Sequence, residues 1–580
     1  PRGGGEVQVL FDGNLESEGH DYFRVSQVDT SNDHAIVAYG LDTKGSEYFT
    51  MRFRDPVTGV ELDDVLVDTS GYVVWAADDR TVFYVVQDDN HRPVAVLRHD
   101  MGTPQDQDVE VYREQDPGFF VDVGLTHDRS LVVIGAHDHQ SGEQWIIGAD
   151  DPTSAPRLVA PREADLEYDI DRDGDRLIIL TNADGAEDFK LVSVPLATPG
   201  REYWVDLVGH REGTLVEGFG VLSGHLVRSE TVDALPRIVV RDLADGEEHV
   251  VNFAEEAYDL GLSLGAEYDT SAIRFSYSSP TTPGQVWDYD VASRERVMRK
   301  QLEIPSGHDP ADYVTRRMMA TAADGEQVPV TILHRAGLTL DGSAPCLLYG
   351  YGSYGMSMPA GFSTNRLSLV DRGFVYAIAH IRGGKERGYR WYREGRREHK
   401  PNTFTDFVAA GEALVAEGYT SEGRIAAHGG SAGGLLMGAV ANLAPSLFGA
   451  IVAEVPFVDV LTTMLDDTLP LTPPEWPEWG NPIEDAEAFA WIKAYSPYDN
   501  VSAQDYPAMW IEGGLTDPRV TYWEPAKWAA RLRATRTNPD QLLCCKINMG
   551  AGHGGKSGRF QALEELAEKY TFVLLALGMA

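Results

Sequence analysis

The sequence predicts two domains, a β-propeller over residues 1–305 and an α/β-hydrolase domain over residues 306–580. Three observations support this prediction. Strand-like runs recur at a regular spacing in the first half, strands and helices alternate in the second half, and a G-x-S-x-G motif follows one of the later strands. A chain of 580 residues is also too long to bury a single hydrophobic core.

The first half repeats a strand-rich unit. Short β-rich runs are spaced 46 to 50 residues apart, and a second strand-like run follows each of them; the first runs begin at Ala35, Thr81, Leu131, Leu177, His225 and Ala272. Several short strands in a repeat of this length are typical of propeller blades, and the regular spacing favours a propeller over an array of β-sandwiches. Six repeats are visible and seven blades are expected. Residues 1–25, with further residues upstream of Pro1, are the candidates for completing the seventh.

The second half alternates apolar strands with amphipathic helices. Strands are predicted at 328–333, 346–349, 374–380, 424–428, 450–455, 508–512 and 542–547, and helices at 405–417, 435–443, 524–533 and 560–575. Strands that are apolar on both faces and separated by helices indicate a mostly parallel, doubly wound sheet. Ligand sites in such sheets lie beyond the carboxyl ends of the strands.

The overall composition excludes several classes of partner. The formal charge is −41, from 49 Lys and Arg against 90 Asp and Glu, and such a field repels nucleic acid and anionic membranes. No run is long and apolar enough to span a bilayer, and the first residues show no signal peptide.

Only three cysteines occur, two of them adjacent, so we expect no disulfide framework and a soluble, cytoplasmic protein. No metal-binding spacing is present, and no cofactor is expected. The oligomeric state, monomer or dimer, stays open.

Ser431 is the candidate nucleophile. It lies in the motif Gly429-Gly430-Ser431-Ala432-Gly433, between a predicted strand and a predicted helix. In that setting the small residues allow a tight turn that raises the hydroxyl above the sheet. The motif alone is weak, because Gly261-Leu262-Ser263-Leu264-Gly265 matches it equally well. No helix follows that second copy, so we interpret it as a turn between propeller strands.

A serine hydroxyl needs a base, and the base needs a group that orients it. In this fold the order along the chain is Ser, then Asp or Glu, then His. Asp517, in the stretch GGLTDPRV, and His553, in the stretch GAGHGG, both follow predicted strands. The glycines around His553 allow a loop that brings the imidazole over the serine. The sequence therefore predicts the triad Ser431, Asp517 and His553.

The oxyanion of an acyl-transfer reaction needs hydrogen-bond donors. The backbone N–H of Ala432, next to the nucleophile, is the expected first donor. The second is expected from the loop after an early strand, where the sequence reads YGYGSYG over 349–355.

These residues carry a resemblance to a known family. The stretches LLYGYGSYG, LSLVDRGFVYAIAHIRGG, GGSAGGLLMGAV, VAEVPFVDVLTTMLD and GAGHGGKSGRF resemble the prolyl oligopeptidase family of serine peptidases, in particular its oligopeptidase B branch. The resemblance extends through most of residues 306–580 and is looser in the propeller. It implies a seven-bladed propeller that covers the active site and admits only short, unfolded peptides. It also implies that the Tyr351 hydroxyl is the second oxyanion donor and that Arg519 binds a substrate carbonyl.

Specificity is where the sequence departs from the family. The oligopeptidase B branch cleaves after Arg or Lys with the help of several carboxylates, but this chain has Pro359, Gly361 and Ala490 where acidic residues are expected. Glu475 still matches an acidic position, and Glu487 is a nearby substitute. We therefore expect cleavage after Arg or Lys with weakened discrimination. The segment 385–397 is also unusually basic, and a solvated charged face is the simplest interpretation.

Two other functions stay open at this point. One is a different hydrolase on the same scaffold, such as an esterase, an aminopeptidase or a peptidase with another preference for the residue before the scissile bond. The other is a non-catalytic propeller adaptor with an inactive hydrolase domain. The complete set Ser431, Asp517 and His553 argues against the adaptor.

Overall fold

The N-terminal half forms a propeller of four-stranded antiparallel units. The computed structural model describes residues 8–579, and in them β1 to β23 build six such units. The strands are β1 (Arg24–Thr30), β2 (Val37–Asp42), β3 (Phe49–Arg54), β4 (Glu61–Trp75), β5 (Thr81–Gln87), β6 (Pro93–Asp100), β7 (Val109–Arg113), β8 (Phe120–Leu125), β9 (Leu131–His137), β10 (Gly142–Gly148), β11 (Arg157–Leu158), β12 (Tyr168–Asp173), β13 (Arg176–Thr181), β14 (Lys190–Pro195), β15 (Val205–Val208), β16 (Leu215–Leu222), β17 (His225–Val232), β18 (Leu235–Asp242), β19 (Glu248–Val251), β20 (Asp259–Ser263), β21 (Ala272–Ser278), β22 (Gln285–Asp290) and β23 (Arg296–Gln301).

The six units coincide with the six repeats of the sequence. Each predicted first run lies on the second strand of its unit, namely β2, β5, β9, β13, β17 and β21. The long strand β4 pairs with β3 through its first half and with β5 through its second half, so the first two units share a seven-stranded sheet. Residues 8–23 contain the short helix α1 (Gly13–Glu16) and no strand. A seventh blade is therefore not completed by residues 8–25, and residues 1–7 lie outside the described residues.

The second G-x-S-x-G copy is part of a strand, not of a turn as expected. Ser263 ends β20 and is paired with Arg274 of β21, and the chain turns only afterwards, at Gly265 with φ of 78°. Strand pairing fixes the backbone around this serine in an extended form, and no helix follows it.

The C-terminal half contains an eight-stranded sheet flanked by helices. Its strands are β24 (Tyr313–Thr321), β25 (Gln327–Arg335), β26 (Cys346–Tyr349), β27 (Val375–Ala379), β28 (Ile425–Gly430), β29 (Phe448–Glu454), β30 (Ala508–Gly514) and β31 (Leu543–Asn548). Its helices are α2 (Thr364–Val370), α3 (Tyr389–Arg393), α4 (Pro401–Ala416), α5 (Ala432–Leu443), α6 (Val460–Met464), α7 (Thr472–Trp479), α8 (Ala486–Tyr495), α9 (Trp523–Thr535) and α10 (Arg559–Ala576). The predicted boundary at residue 305 falls between β23 and β24.

The sheet has the order β24-β25-β27-β26-β28-β29-β30-β31. It is parallel from β27 to β31, and β25 and β24 pair antiparallel at one edge. Alternate residues of the central strands enter opposite cores: Leu348 and Ala427 pack with the residues of α4, α5 and α9, whereas Leu347 and Ala426 pack with those of α2 and α10. The sheet is therefore wound on both faces, and the ends of its parallel strands share one edge.

The basic segment 385–397 lies in the interface between the domains, not on a solvated face. Tyr389 and Tyr392 of this segment pack into a hydrophobic cluster with propeller residues such as Ile178 and Leu215. The Tyr389 N–H donates to the propeller carboxylate of Asp188 at 2.7 Å. Among the basic residues of this segment, Arg393 forms an ion pair with Glu187 of the propeller, and Arg387 forms one with Asp233 of the propeller. In residues 8–579, no helix is long and apolar enough to cross a membrane.

Candidate active site

Ser431 occupies a sharp turn between β28 and α5. Its φ of 58° and ψ of −120° are unusual for a residue with a side chain. Backbone hydrogen bonds hold it there: its N–H donates to the carbonyl of Glu454 at 2.9 Å, and its own carbonyl accepts from the N–H groups of Gly434 at 2.8 Å and Phe457 at 3.1 Å. The turn is therefore determined by the neighbouring strand end and by the first turn of the helix.

Two of the glycines around Ser431 are required by close backbone contacts. A Cβ on Gly429 would lie 2.4 Å from the carbonyl oxygen of Gly433, and one on Gly434 would lie 2.4 Å from Cα of Pro456. Neither contact can be relieved by rotating a side chain. The absence of a side chain at these two positions thus has a steric cause.

Asp517 and His553 form a hydrogen-bonded pair beyond the ends of β30 and β31. Oδ2 of Asp517, a buried residue, lies 2.7 Å from Nδ1 of His553. Its other oxygen, Oδ1, accepts from the N–H groups of Arg519 at 2.8 Å and Val520 at 2.9 Å. The carboxylate is therefore fixed, and the Nδ1–H of His553 donates to it. This tautomer leaves Nε2 free to accept a proton.

The serine and the imidazole follow β28 and β31, two parallel strands of the same sheet. Ser431 lines a cavity of about 410 Å³, and His553 lines a separate, smaller one of about 130 Å³. Within residues 8–579, no hydrogen bond joins the Ser431 hydroxyl to His553. Such bonds are often long in free enzymes and shorten when substrate is bound. The structure thus brings the Asp517–His553 pair and the serine turn to one edge of the sheet.

The two predicted oxyanion donors lie at the same cavity. Ala432 is the first residue of α5, so its N–H has no partner within the helix. Tyr351 follows β26 and also lines the cavity. Burial raises the pKa of Tyr351 above its usual value, Glu475 raises it further, and the neighbouring Ser431 side chain acts in the opposite direction. The Tyr351 hydroxyl therefore stays protonated and can donate.

The propeller forms the opposite wall of the cavity. Its contribution comes from loops and strand ends of the first three units: Glu47, Gln87, His91, Pro93, Phe120 and His139. Arg519 crosses the interface, because its guanidinium donates to Oε2 of Glu47 at 2.8 and 3.1 Å. Sequence reasoning missed these propeller residues, since they belong to no local motif and meet the serine only through the packing of the two domains.

Glu475, which the sequence predicts as a substrate-binding carboxylate, lines the cavity that contains Ser431. It belongs to α7, and its side chain is 12% exposed. Its Oε2 accepts from the Tyr354 hydroxyl at 2.8 Å and from Nε1 of Trp479 at 2.6 Å. Burial raises its pKa, with His139 and these two donors acting in the opposite direction. A buried carboxylate of this kind gains from a cationic partner.

Glu487 does not join the site. It is exposed on the first turn of α8 and is absent from the lining of the cavity, so the expectation that it replaces a lost carboxylate is wrong. Ala490, on the same helix, and Pro359 are exposed as well. A Cβ on Gly361 would lie 3.0 Å from Oγ of Ser278 and 3.6 Å from Cβ of Asp259, both in the propeller. A second buried carboxylate in the cavity, Glu524, was not predicted; it accepts from the N–H groups of 458 and 459 and from the Thr463 hydroxyl.

Family models match both halves of the chain. Residues 1–302 match the model described as the prolyl oligopeptidase N-terminal β-propeller domain. Residues 360–580 match the model described as the prolyl oligopeptidase family.

Individual relatives agree with these matches over nearly the whole chain. Dipeptidyl aminopeptidase BI of Pseudoxanthomonas mexicana is 45% identical, over 99% of this chain and 79% of the relative. Protease 2 of Moraxella lacunata is 38% identical, over 99% of this chain and 82% of the relative. A solved structure, oligopeptidase B of Trypanosoma brucei with covalently bound antipain in a closed form, superposes with a TM-score of 0.95 at 37% identity and covers 99% of this chain and 82% of that one.

Proposed function

This chain belongs to the prolyl oligopeptidase family of peptidases, and we propose that it is a serine endopeptidase that hydrolyses short, unfolded peptides after Arg or Lys. The observation that carries the proposal is the fixed Asp517–His553 pair, which lies at the same edge of the sheet as the serine turn. The residue assignments below are part of the same proposal.

The proposed reaction is a two-step acyl transfer. Nε2 of His553 takes the proton of Ser431 as Oγ attacks the scissile carbonyl carbon, and Asp517 stabilises the resulting imidazolium. The oxyanion receives hydrogen bonds from the Ala432 N–H and the Tyr351 hydroxyl. The imidazolium then protonates the leaving amine, and water, activated by the same imidazole, hydrolyses the acyl-enzyme and releases the serine. Arg519 binds a substrate carbonyl, in competition with its ion pair to Glu47.

The preference for Arg or Lys before the scissile bond is supported by Glu475. This carboxylate lines the cavity that contains Ser431, and its burial makes an ionic partner favourable. With no acidic residue at 359, 361 or 490, the pocket has fewer carboxylates than the resemblance implies. Discrimination should therefore be weaker, and a second adjacent basic residue in the substrate should add little.

Size selection follows from the propeller wall of the cavity. Because both domains line the space around Ser431, a substrate chain must enter as a thin, extended segment. Short peptides should be cleaved and a stably folded protein should stay intact. The cytoplasm remains our proposed location, supported by the small number of cysteines and their unpaired state.

The experiment compares kcat/KM on matched blocked peptide amides with Arg, Lys, Phe, Leu, Pro or Glu before the scissile bond. Wild type and Glu475→Gln are both measured, with Ser431→Ala as the blank. In wild type, we expect kcat/KM for the Arg and Lys peptides to exceed that for the other peptides by less than about 10³-fold, which corresponds to about 4 kcal/mol. In Glu475→Gln, we expect most of this difference in kcat/KM to be lost. A higher kcat/KM for a peptide with an apolar or acidic residue before the scissile bond would contradict the proposed specificity. A kcat/KM for the Arg or Lys peptide more than about 10³-fold above that of the other peptides would contradict the weakened discrimination.

A second candidate is the release of dipeptides from free N-termini. One observation favours it, the name dipeptidyl aminopeptidase given to the relative that is 45% identical. It uses the same serine, base and oxyanion donors, and differs only in how the substrate terminus is bound. The same peptide measured with a free and with an acetylated N-terminus separates the two. Cleavage of the free form alone would support the aminopeptidase, and equal cleavage of both supports the endopeptidase.

A further inference from the structure

Lys400 is a buried lysine whose ammonium group contacts the turn that carries Tyr351 (residues 350–354). It directly precedes α4 and is 1% exposed. Its Nζ donates to the carbonyl of Gly352 at 2.6 Å and to Oγ of Ser353 at 2.7 Å. The same atom lies 4.9 Å from the centre of the Trp479 ring, within the range of a cation–π contact. The three N–H groups of the ammonium are therefore matched by two oxygens and an aromatic face.

This position is an unfavourable one for a charged group. Burial lowers the pKa of Lys400 to about 8, and the carboxylate of Glu478 acts in the opposite direction. An apolar side chain of similar length could fill the space without the desolvation cost of an ammonium. What a lysine supplies here, and an apolar residue would not, is the pair of hydrogen bonds to Gly352 and Ser353.

The backbone of Tyr351 depends on its two neighbours. In residues 8–579, neither its N–H nor its carbonyl forms a hydrogen bond. On one side, the N–H of Gly350 donates to the carbonyl of His428 at 3.3 Å, and on the other side, the carbonyl of Gly352 accepts from Lys400. Glycines on both sides leave the chain free to rotate unless such contacts fix it. The contact with Lys400 therefore helps to set where the tyrosine side chain lies.

The end of the turn is held independently, from α7. The carboxylate of Glu478 accepts from the N–H of Tyr354 at 3.0 Å and from the Tyr392 hydroxyl at 2.6 Å. Neither hydrogen bond involves Lys400. Loss of the lysine contacts should thus loosen the turn next to Tyr351 while its far end stays attached to the hydrolase domain.

We infer that Lys400 is a positioning residue for the oxyanion site: it fixes the turn at Gly352 and Ser353 and thereby sets the position of the Tyr351 hydroxyl. This inference rests on the proposed function and deepens it. Lys400 does not line the cavity that contains Ser431, so it acts on the reaction only through the turn. Because the oxyanion forms only after attack on the carbonyl, loss of Lys400 should slow the chemical step and leave substrate binding unchanged.

The test is a double-mutant cycle of Lys400→Met and Tyr351→Phe, measured by hydrolysis of a blocked peptide amide. Methionine is similar to lysine in length but has no N–H group. With Tyr351 present, Lys400→Met should lower kcat about 10-fold and change KM less than about twofold. With Tyr351→Phe, the same replacement should lower kcat less than about threefold, because the hydroxyl that it displaces is already absent. An equal loss of kcat in both backgrounds would indicate a merely structural role and overturn the inference.

A milder variant and a control complete the experiment. Ser353→Ala removes one of the two oxygen partners of Lys400 and should lower kcat about threefold, again only when Tyr351 is present, so the cycle can be measured even if Lys400→Met folds poorly. Lys190→Met is the matched control, because Lys190 is a buried propeller lysine, paired with Asp184 and Asp206, that lines neither cavity. It should leave kcat unchanged.

Failure of the inference and failure of the proposed function give different results. A kcat that falls in Tyr351→Phe but is unchanged in a folded Lys400→Met variant would overturn the inference alone. A kcat that is unchanged in Tyr351→Phe would contradict the proposed oxyanion donor itself, and the inference with it.

Discussion

Replacing Asp517 with Asn tests the hydrogen bonds that orient the imidazole of His553. The two carboxylate oxygens of Asp517 have different partners. Oδ1 accepts from two backbone N–H groups, those of Arg519 and Val520, and Oδ2 accepts from Nδ1 of His553 at 2.7 Å. An asparagine must keep its oxygen toward the two backbone donors, because an NH₂ group there would face donors. Its NH₂ group is then placed against the imidazole.

This orientation forces the wrong tautomer on His553. An NH₂ group can only donate, so Nδ1 must become the acceptor and the ring proton moves to Nε2. With a proton on Nε2, the imidazole cannot accept the proton of Ser431. We expect kcat to fall about 10⁴-fold, which corresponds to about 5.5 kcal/mol of activation free energy.

The assay is hydrolysis of a blocked peptide amide at saturating concentration, with the melting temperature measured on the same samples. The melting temperature should change little, because the amide keeps the number of hydrogen bonds. Asp499→Asn is the matched control: Asp499 accepts from the Ser496 hydroxyl at 2.8 Å and does not line the cavity. A loss below about 10-fold in Asp517→Asn, or an equal loss in the control, would refute this reasoning.

Three further predictions concern other groups at the cavity. Tyr351→Phe should lower kcat about 10²-fold with little change in KM, because the hydroxyl acts only on the oxyanion; an unchanged kcat in steady-state kinetics would assign the donor elsewhere. Arg519→Met should raise KM about 10-fold and leave kcat within about threefold, because a substrate carbonyl is bound equally before and during reaction; a fall in kcat alone would contradict this. Burial raises the pKa of Glu524 from 4.5 to about 7. Ionisation of this carboxyl group therefore lowers the free energy of unfolding by up to about 3 kcal/mol as the pH rises from below 4.5 to above 7. Glu524→Gln should therefore gain melting temperature relative to wild type between pH 5 and pH 8, and a constant difference would show that Glu524 is not the titrating group.

The sequence predicted what depends on local patterns. Strand spacing located the six propeller units, and the strand, turn and helix around Ser431 follow from apolar periodicity and small residues. Strand β24 was missed because it is an edge strand with adjacent arginines, Arg316 and Arg317, and few buried residues. Its pairing with β25 over nine residues supplies the order that its own sequence does not indicate.

The rest of the site depends on contacts between distant residues. His139 and Glu475 are separated by more than 300 residues and meet because two domains pack together. Glu487 shows the converse, since a residue close to the expected position in sequence lies on an exposed helix. The spacing of residues along a helix or strand determines on which face of that element a side chain lies. Which faces of distant elements come into contact depends on how the two domains pack.

The most direct test of the central claim is covalent labelling of the serine turn. A fluorophosphonate probe is incubated with wild type, Ser431→Ala and Ser263→Ala, and the modified residue is identified by peptide mass analysis alongside hydrolysis of a blocked peptide. The proposed function predicts labelling of wild type and Ser263→Ala at residue 431, with activity retained in both, and neither labelling nor hydrolysis in a folded Ser431→Ala variant. Labelling or full activity in Ser431→Ala, or equal loss in Ser263→Ala, would contradict it.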